Sequence, residues 1–196
     1  MNNEVLVGRK TYKIIEIIRE LHDFTEYLAV FQDKKFIIKQ YNLTSKMLDD
    51  VKVRNKLEKY GIYVPKYKKI DKKHNATIEE YLDSKNCYEK LLEEELSDDY
   101  YKELFNVYRF CRFSKIDLDY MPENFVLYKK KMYYTSFDYG PQNARENLEN
   151  YGLYYWIYSQ EFYDRTKRLG HDFDKKKLLG SAEAKKKIVL LSIMNW

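Results

Sequence analysis

Up to Leu82 the chain is written in short alternating segments, and beyond it the apolar spacing becomes helical. That one switch excludes a purely helical bundle and a pure β-sandwich. Residues 12–18, 26–32 and 35–41 read as extended, with Asp33-Lys34 as a tight polar turn joining the last two into a hairpin. Thr44 or Ser45 caps a helix running towards Tyr60, and Gly61 stops it. Pro65 opens a new extended stretch, after which 67–70 and 76–82 flank the polar run 71–75 as a second hairpin. The pattern then changes. Residues 88–96 are helical, and Ser97 caps a segment with Tyr101, Leu104, Tyr108 and Cys111 at helical spacing. A hairpin over 125–128 and 131–135 turns at Lys129-Lys130, and helical stretches follow near 148–169 and 175–194. The expected division is therefore 1–82, strands with one helix, and 83–196, mostly helices with one hairpin.

Composition sets the outer bounds. With 196 residues, 44% hydrophobic and 17% aromatic, the chain can bury a sizeable core and is not a disordered segment. The 21 Tyr are spread throughout and mark no site of their own. A net charge of +5 favours anionic partners such as a nucleotide, nucleic acid or an acidic protein surface without selecting among them. Lys175-Lys176-Lys177 and Lys185-Lys186-Lys187 read as a solvated helix face, with RNA binding as the lesser reading. Cys87 and Cys111 stand in unrelated surroundings, which excludes a disulfide framework or Cys-based zinc pattern and suits a reducing cytoplasm. His22, His74 and His171 have no second ligand near them in sequence. No apolar run reaches membrane-spanning length, and 188–194 reads as a core-facing helix end, so no membrane partner is expected.

The chemistry is concentrated in Ile116-Asp117-Leu118-Asp119-Tyr120-Met121-Pro122-Glu123-Asn124-Phe125-Val126-Leu127. An Asp and an Asn five positions apart around a Pro would form, at the least, an Asx-rich turn between a helix and a hairpin. The run also resembles the catalytic loop of protein kinases, in which the Asp orients the attacking hydroxyl and the Asn helps to hold Mg²⁺. Other segments fall in the order that such a fold lays down. The chain resembles the small atypical kinases of the RIO type and of the tRNA threonylcarbamoyl-modification complex, over roughly residues 12–160. The resemblance implies an α+β, protein-kinase-like two-lobed fold with an abbreviated C-lobe.

It also implies roles. Lys39, closing Phe36-Ile37-Ile38-Lys39, would bind the α/β-phosphates of ATP, with Asp50 on the following helix as its acidic partner. Glu80, Tyr81 and Leu82 would form the hinge whose backbone reads adenine. Asp119 would be the base-like or orienting carboxylate, and Asn124 a metal ligand. The second metal ligand has two registers: Asp138 in Asp138-Tyr139-Gly140, or Ser136 in Tyr134-Thr135-Ser136-Phe137-Asp138, which would leave a poor metal site. Met121 stands where most protein kinases carry a Lys that contacts the γ-phosphate, and residues 18–25 lack the glycines of a phosphate loop. After Gly140 there is no A-P-E signature and little room for an extended peptide-docking segment, and the aromatic run 151–156 reads as core. The implied function is transfer of the ATP γ-phosphate, with Mg²⁺, to a hydroxyl of an unknown protein or small-molecule acceptor. The alternative is a pseudokinase that serves as a binding or regulatory module.

Overall fold

The computed structural model describes residues 3–196. Two compact units emerge, one of residues up to Glu58 with Val64–Asp83, the other of Lys59–Tyr63 with Ser84–Trp196.

The first unit is an antiparallel six-stranded sheet, built from β1 (Glu4–Val7), β2 (Lys10–Glu20), β3 (Phe24–Phe31), β4 (Lys34–Tyr41), then helix α1 (Thr44–Lys59), β5 (Tyr67–Asp71) and β6 (Ala76–Glu80). The strand order is β1-β2-β3-β4-β6-β5. Alternation along the strands divides the residues between two faces. Val5, Val7, Tyr12, Ala29, Ile38, Ala76 and Ile78 form an apolar cluster. Lys39, Thr77 and Glu79 lie on the opposite face, because Lys39 pairs with Thr77 and Ile37 with Glu79. α1 buries Met47, Arg54 and Leu57, while Asp50 and Val51 are half-buried and Glu58 is exposed. The β3–β4 turn falls at Gln32 and Asp33, one residue earlier than the sequence suggests, since Phe31 pairs with Lys34. Both turn residues have left-handed φ, 48° and 59°, which suits Asp better than Lys.

The second unit holds α2 (Cys87–Glu93), α3 (Asp98–Ser114), β7 (Ile116–Leu118), β8 (Phe125–Tyr128), β9 (Lys131–Tyr134), β10 (Tyr139–Pro141), α4 (Gln160–Arg168) and α5 (Ser181–Asn195). α3 buries Tyr101, Leu104, Phe105, Tyr108 and Cys111 at three- and four-residue spacing. The β8–β9 hairpin turns at Lys129 and Lys130, as expected, with φ of 49° and 59°. Residues 148–169 are not one helix. Gly152–Trp156 forms a 3-10 turn, and Ser159 starts α4 by accepting a hydrogen bond from the Phe162 N–H at 3.2 Å. The short strands β1, β7 and β10 carry too few residues to announce a period of two. Only one face of α5 docks: Ala184, Ile188 and Leu191 are buried, while Val189, Leu190, Ile193 and Met194 are exposed. Among the described residues no helix is long and apolar enough to cross a membrane.

Candidate functional site

In the second unit a strand pair fixes the loop. β7 and β10 run antiparallel, with Leu118 opposite Tyr139 and Asp117 opposite Gly140. Just past that register the Asp119 N–H points to the Asp138 carbonyl and the Tyr134 hydroxyl, each at 3.3 Å, and the Tyr134 hydroxyl donates to the same carbonyl at 2.5 Å. Pro122 then opens a 3-10 turn, where a fixed φ and a missing N–H cost nothing. The turn swings Asn124 back, and its Nδ2 donates to Asp119 Oδ2 at 2.9 Å and to the Asp119 carbonyl at 3.2 Å. Asp119 Oδ1 accepts from the Met121 N–H at 3.3 Å, so both carboxylate oxygens are oriented. Thr135 closes the arrangement, its N–H and hydroxyl meeting the Asn124 carbonyl at 2.8 and 3.1 Å.

Asp119, Asn124 and Asp138 are thus brought together. Asp119 is half-buried, Asn124 buried and Asp138 exposed. A recess of about 270 Å³ beside them is lined by Asp117, Leu118, Asp119, Asp138, Asn143 and Glu146, among others. Ser136 is buried, and its hydroxyl accepts from the Asp138 N–H at 3.4 Å, inside its own turn. Among the described residues no group of three His, Cys, Asp or Glu side chains can hold a metal alone. Mg²⁺ commonly needs only one or two protein oxygens when substrate phosphates supply others. With the Asn124 nitrogen spent on Asp119, its amide oxygen and the exposed Asp138 carboxylate fit that partial role.

The loop rests on a support that its own sequence does not announce. Trp156, fully buried, donates from Nε1 to the Tyr120 carbonyl at 2.7 Å, and its ring meets Phe125 edge-on at 5.4 Å. Gly152 lies so close that an added Cβ would sit 2.8 Å from Tyr120 Cβ. Asp117 accepts from the Asn143 N–H at 2.5 Å and from the Tyr120 hydroxyl at 3.3 Å, and burial raises its pKa despite those bonds. Arg165 on α4 forms an ion pair with Glu123.

In the first unit Lys39 is 2% exposed. Its Nζ lies 3.8 Å from Glu26 on the neighbouring strand. Burial pulls its pKa down, against the pull of Glu79, Glu26 and, more weakly, Asp50. Glu79 in turn holds Arg54 Nη1 at 2.8 Å, and that nitrogen also reaches the Pro65 carbonyl at 2.7 Å. Asp50, the expected partner of Lys39, has its pKa raised by burial, an effect opposed by the Tyr41 hydroxyl and by Lys39. Glu79 Oε1 and the hydroxyls of Thr77 and Tyr67 are buried in the same cluster without hydrogen-bond partners. Arg54 falls on the α1 face that carries Met47 and Leu57, and Glu79 lies in a strand, but no local pattern links the two as partners. In the segment expected to form a hinge, the Glu80 N–H is bonded to the Lys66 carbonyl at 3.0 Å, Lys35 lies 5.2 Å over the Tyr81 ring, and Leu82 is buried. The glycine-free turn between β2 and β3 is pinned: Asn42 bonds the Asp23 and His22 carbonyls at 3.0 and 2.5 Å, and Lys46 lies 3.2 Å from the Asp23 carboxylate.

No protein-family model matches the chain, and no curated protein matches it. Solved kinase domains do. The chain is similar to the BubR1 kinase domain with a TM-score of 0.52 and 13% identity, over 69% of this chain and 49% of that one. It is similar to the autoinhibited serine kinase domain of the giant muscle protein titin with a TM-score of 0.50 and 15% identity, over 67% of this chain and 46% of that one. The fold is kinase-like, mixed α and β. The chain spans about half the length of the kinase domains it matches.

Proposed function

We propose that the chain is a minimal kinase, akin to the small atypical RIO-type and threonylcarbamoyl-complex kinases, that binds Mg–ATP and transfers the γ-phosphate to a hydroxyl acceptor. In this reading the strand-rich unit is the N-lobe, the helical unit an abbreviated C-lobe, and the site of action the cytoplasm. The observation that carries it is Asp119, oriented through both oxygens by Met121 and Asn124 beside the Asp138 backbone. A carboxylate so held can accept the hydrogen bond of an incoming hydroxyl and orient it for attack. As the bond from the acceptor oxygen to phosphorus forms, the bond to the bridging oxygen breaks, ADP leaves, and the hydroxyl proton passes to Asp119 and on to solvent. Mg²⁺, when bound through Asn124 and Asp138, supplies charge neutralisation on the phosphates. Lys39 would bind the α/β-phosphates with its position set by Asp50, Glu79 and Glu26, and the Glu80–Leu82 backbone would read adenine.

Isothermal titration tests this. ATP with Mg²⁺ or Mn²⁺ should bind the wild type, and Asn124→Ala should remove the metal dependence. Absence of nucleotide binding under every metal condition rejects the proposal.

The second reading is a pseudokinase, supported by the buried Ser136 and by the pinned, glycine-free β2–β3 turn. Its signature is nucleotide binding without turnover, unaffected by Asp119→Ala.

A further inference from the structure

The segment from Ile116 to Leu127 carries three carboxylates, Asp117, Asp119 and Glu123, and no Lys or Arg. Asp138 and Glu146 add two more to the recess beside it. A phosphoryl group entering such a place meets like charge, and a preorganised cation is the usual remedy. Met121 cannot provide one, and it is buried.

α4 brings a cation from outside the loop. Ser159 caps the helix, Phe162 and Thr166 anchor its buried side, and Arg165 lies between those two. The Arg165 guanidinium, one quarter exposed, pairs through Nη2 with a single oxygen of Glu123. The pairing is incomplete on both sides. Arg165 Nε and Glu123 Oε2 are buried and without hydrogen-bond partners. A guanidinium has five donors in a rigid fork, so with Nε buried and one Nη2 hydrogen engaged, the capacity left for a second anion lies on Nη1 and the other Nη2 hydrogen. Burial lowers the Arg165 pKa, an effect opposed by the charge of Asp119 and deepened by Arg168.

We propose that Arg165 is the cation of this loop: Glu123 holds it in place, and its remaining donors contact the phosphate being transferred. The inference rests on the phosphotransfer reading above and names a residue that no loop motif contains. A Lys within the loop would move with it, whereas Arg165 is delivered by a helix that buries Phe162 and Thr166 in the core.

The test is steady-state hydrolysis of Mg–ATP by the full chain, with water as the acceptor, for wild type, Arg165→Gln, Arg165→Lys and Glu123→Gln, each checked for a native melting transition. Arg165→Gln should lower kcat by about 100-fold while KM for ATP changes by less than about 3-fold, the pattern of a group used mainly in the transition state. Arg165→Lys keeps the charge but not the fork and should recover at least about 10-fold of that loss. Glu123→Gln removes the ion pair but keeps the guanidinium, and should lose less than about 10-fold. Equal losses in Arg165→Gln and Glu123→Gln would mean that only the ion pair matters, and would overturn the inference. So would an active wild type with an equally active Arg165→Gln, which leaves the phosphotransfer reading standing. A wild type that hydrolyses no ATP rejects that reading, and this inference with it.

Discussion

Glu79→Gln removes one negative charge from a place where two cations are fixed. Arg54 and Lys39 are each 2% exposed, and Glu79 is the anion that touches the first at 2.8 Å and acts most strongly on the second. Gln keeps the shape, so packing is preserved and the loss is electrostatic. Breaking a buried pair by removing one partner costs about 3–5 kcal/mol, because the remaining charge stays desolvated and uncompensated. For a chain of this size each kcal/mol lowers Tm by about 2–4 °C, which gives a fall of about 6–20 °C. The loss also has a pH sign. Burial already depresses the Lys39 pKa below its ordinary value of 10.5, and removing Glu79 depresses it further. A depressed lysine costs stability fully below its folded pKa, and the cost fades as pH rises towards the unfolded value. Thermal melts followed by circular dichroism should therefore show a larger Glu79→Gln deficit at pH 7 than at pH 10. The double variant Arg54→Met/Glu79→Gln should recover part of the deficit. A fall below about 2 °C would refute the claim that this network ties α1 to the sheet, and a deficit that is the same at both pH values would refute the coupling of Glu79 to Lys39.

Asp71 offers an opposite pH dependence. Burial alone would raise its pKa, but hydrogen bonds from His74, the Gly8 N–H and the Lys73 N–H outweigh it and hold the pKa at about 2. That contribution is present above the ordinary value of 3.8 and is lost as pH falls from about 4 to about 2, and urea melts of Asp71→Asn should lack that part of the acid slope. Both cysteines are buried, and burial pushes the Cys111 thiol up to about 12 and the Cys87 thiol up as well. A thiol-reactive chromophore should label neither in the native protein and both in denaturant, and fast native labelling would contradict the buried placement. Gly152→Ala drives a methyl against Tyr120 and should lower Tm and weaken Mg–ATP binding together, by calorimetry and titration, whereas a neutral result would mean that the loop does not lean on that backbone.

How much of this was written in the sequence depends on whether a residue's role is local. The β8–β9 hairpin was legible from Lys129-Lys130, and α3 from the spacing of Tyr101, Leu104, Tyr108 and Cys111, since period and turn chemistry are local properties. The turn from Asp119 to Asn124 was legible for the same reason, but the hydrogen bond that joins the two side chains was not. Glu79 with Arg54, and Glu123 with Arg165, were not. Their partners lie 25 and 42 positions apart, and a charged residue in a strand or helix reads as surface until the fold turns it inward. The aromatic run places Trp156 in the core, but the carbonyl that its indole supports belongs to a residue 36 positions earlier.

ATP consumption by wild type and Asp119→Ala, with and without Mg²⁺, at matched purity, tests the central claim most directly. The account predicts Mg²⁺-dependent turnover in the wild type and a loss of at least about 100-fold in the variant. Turnover that is absent from both, or equal in both, contradicts it.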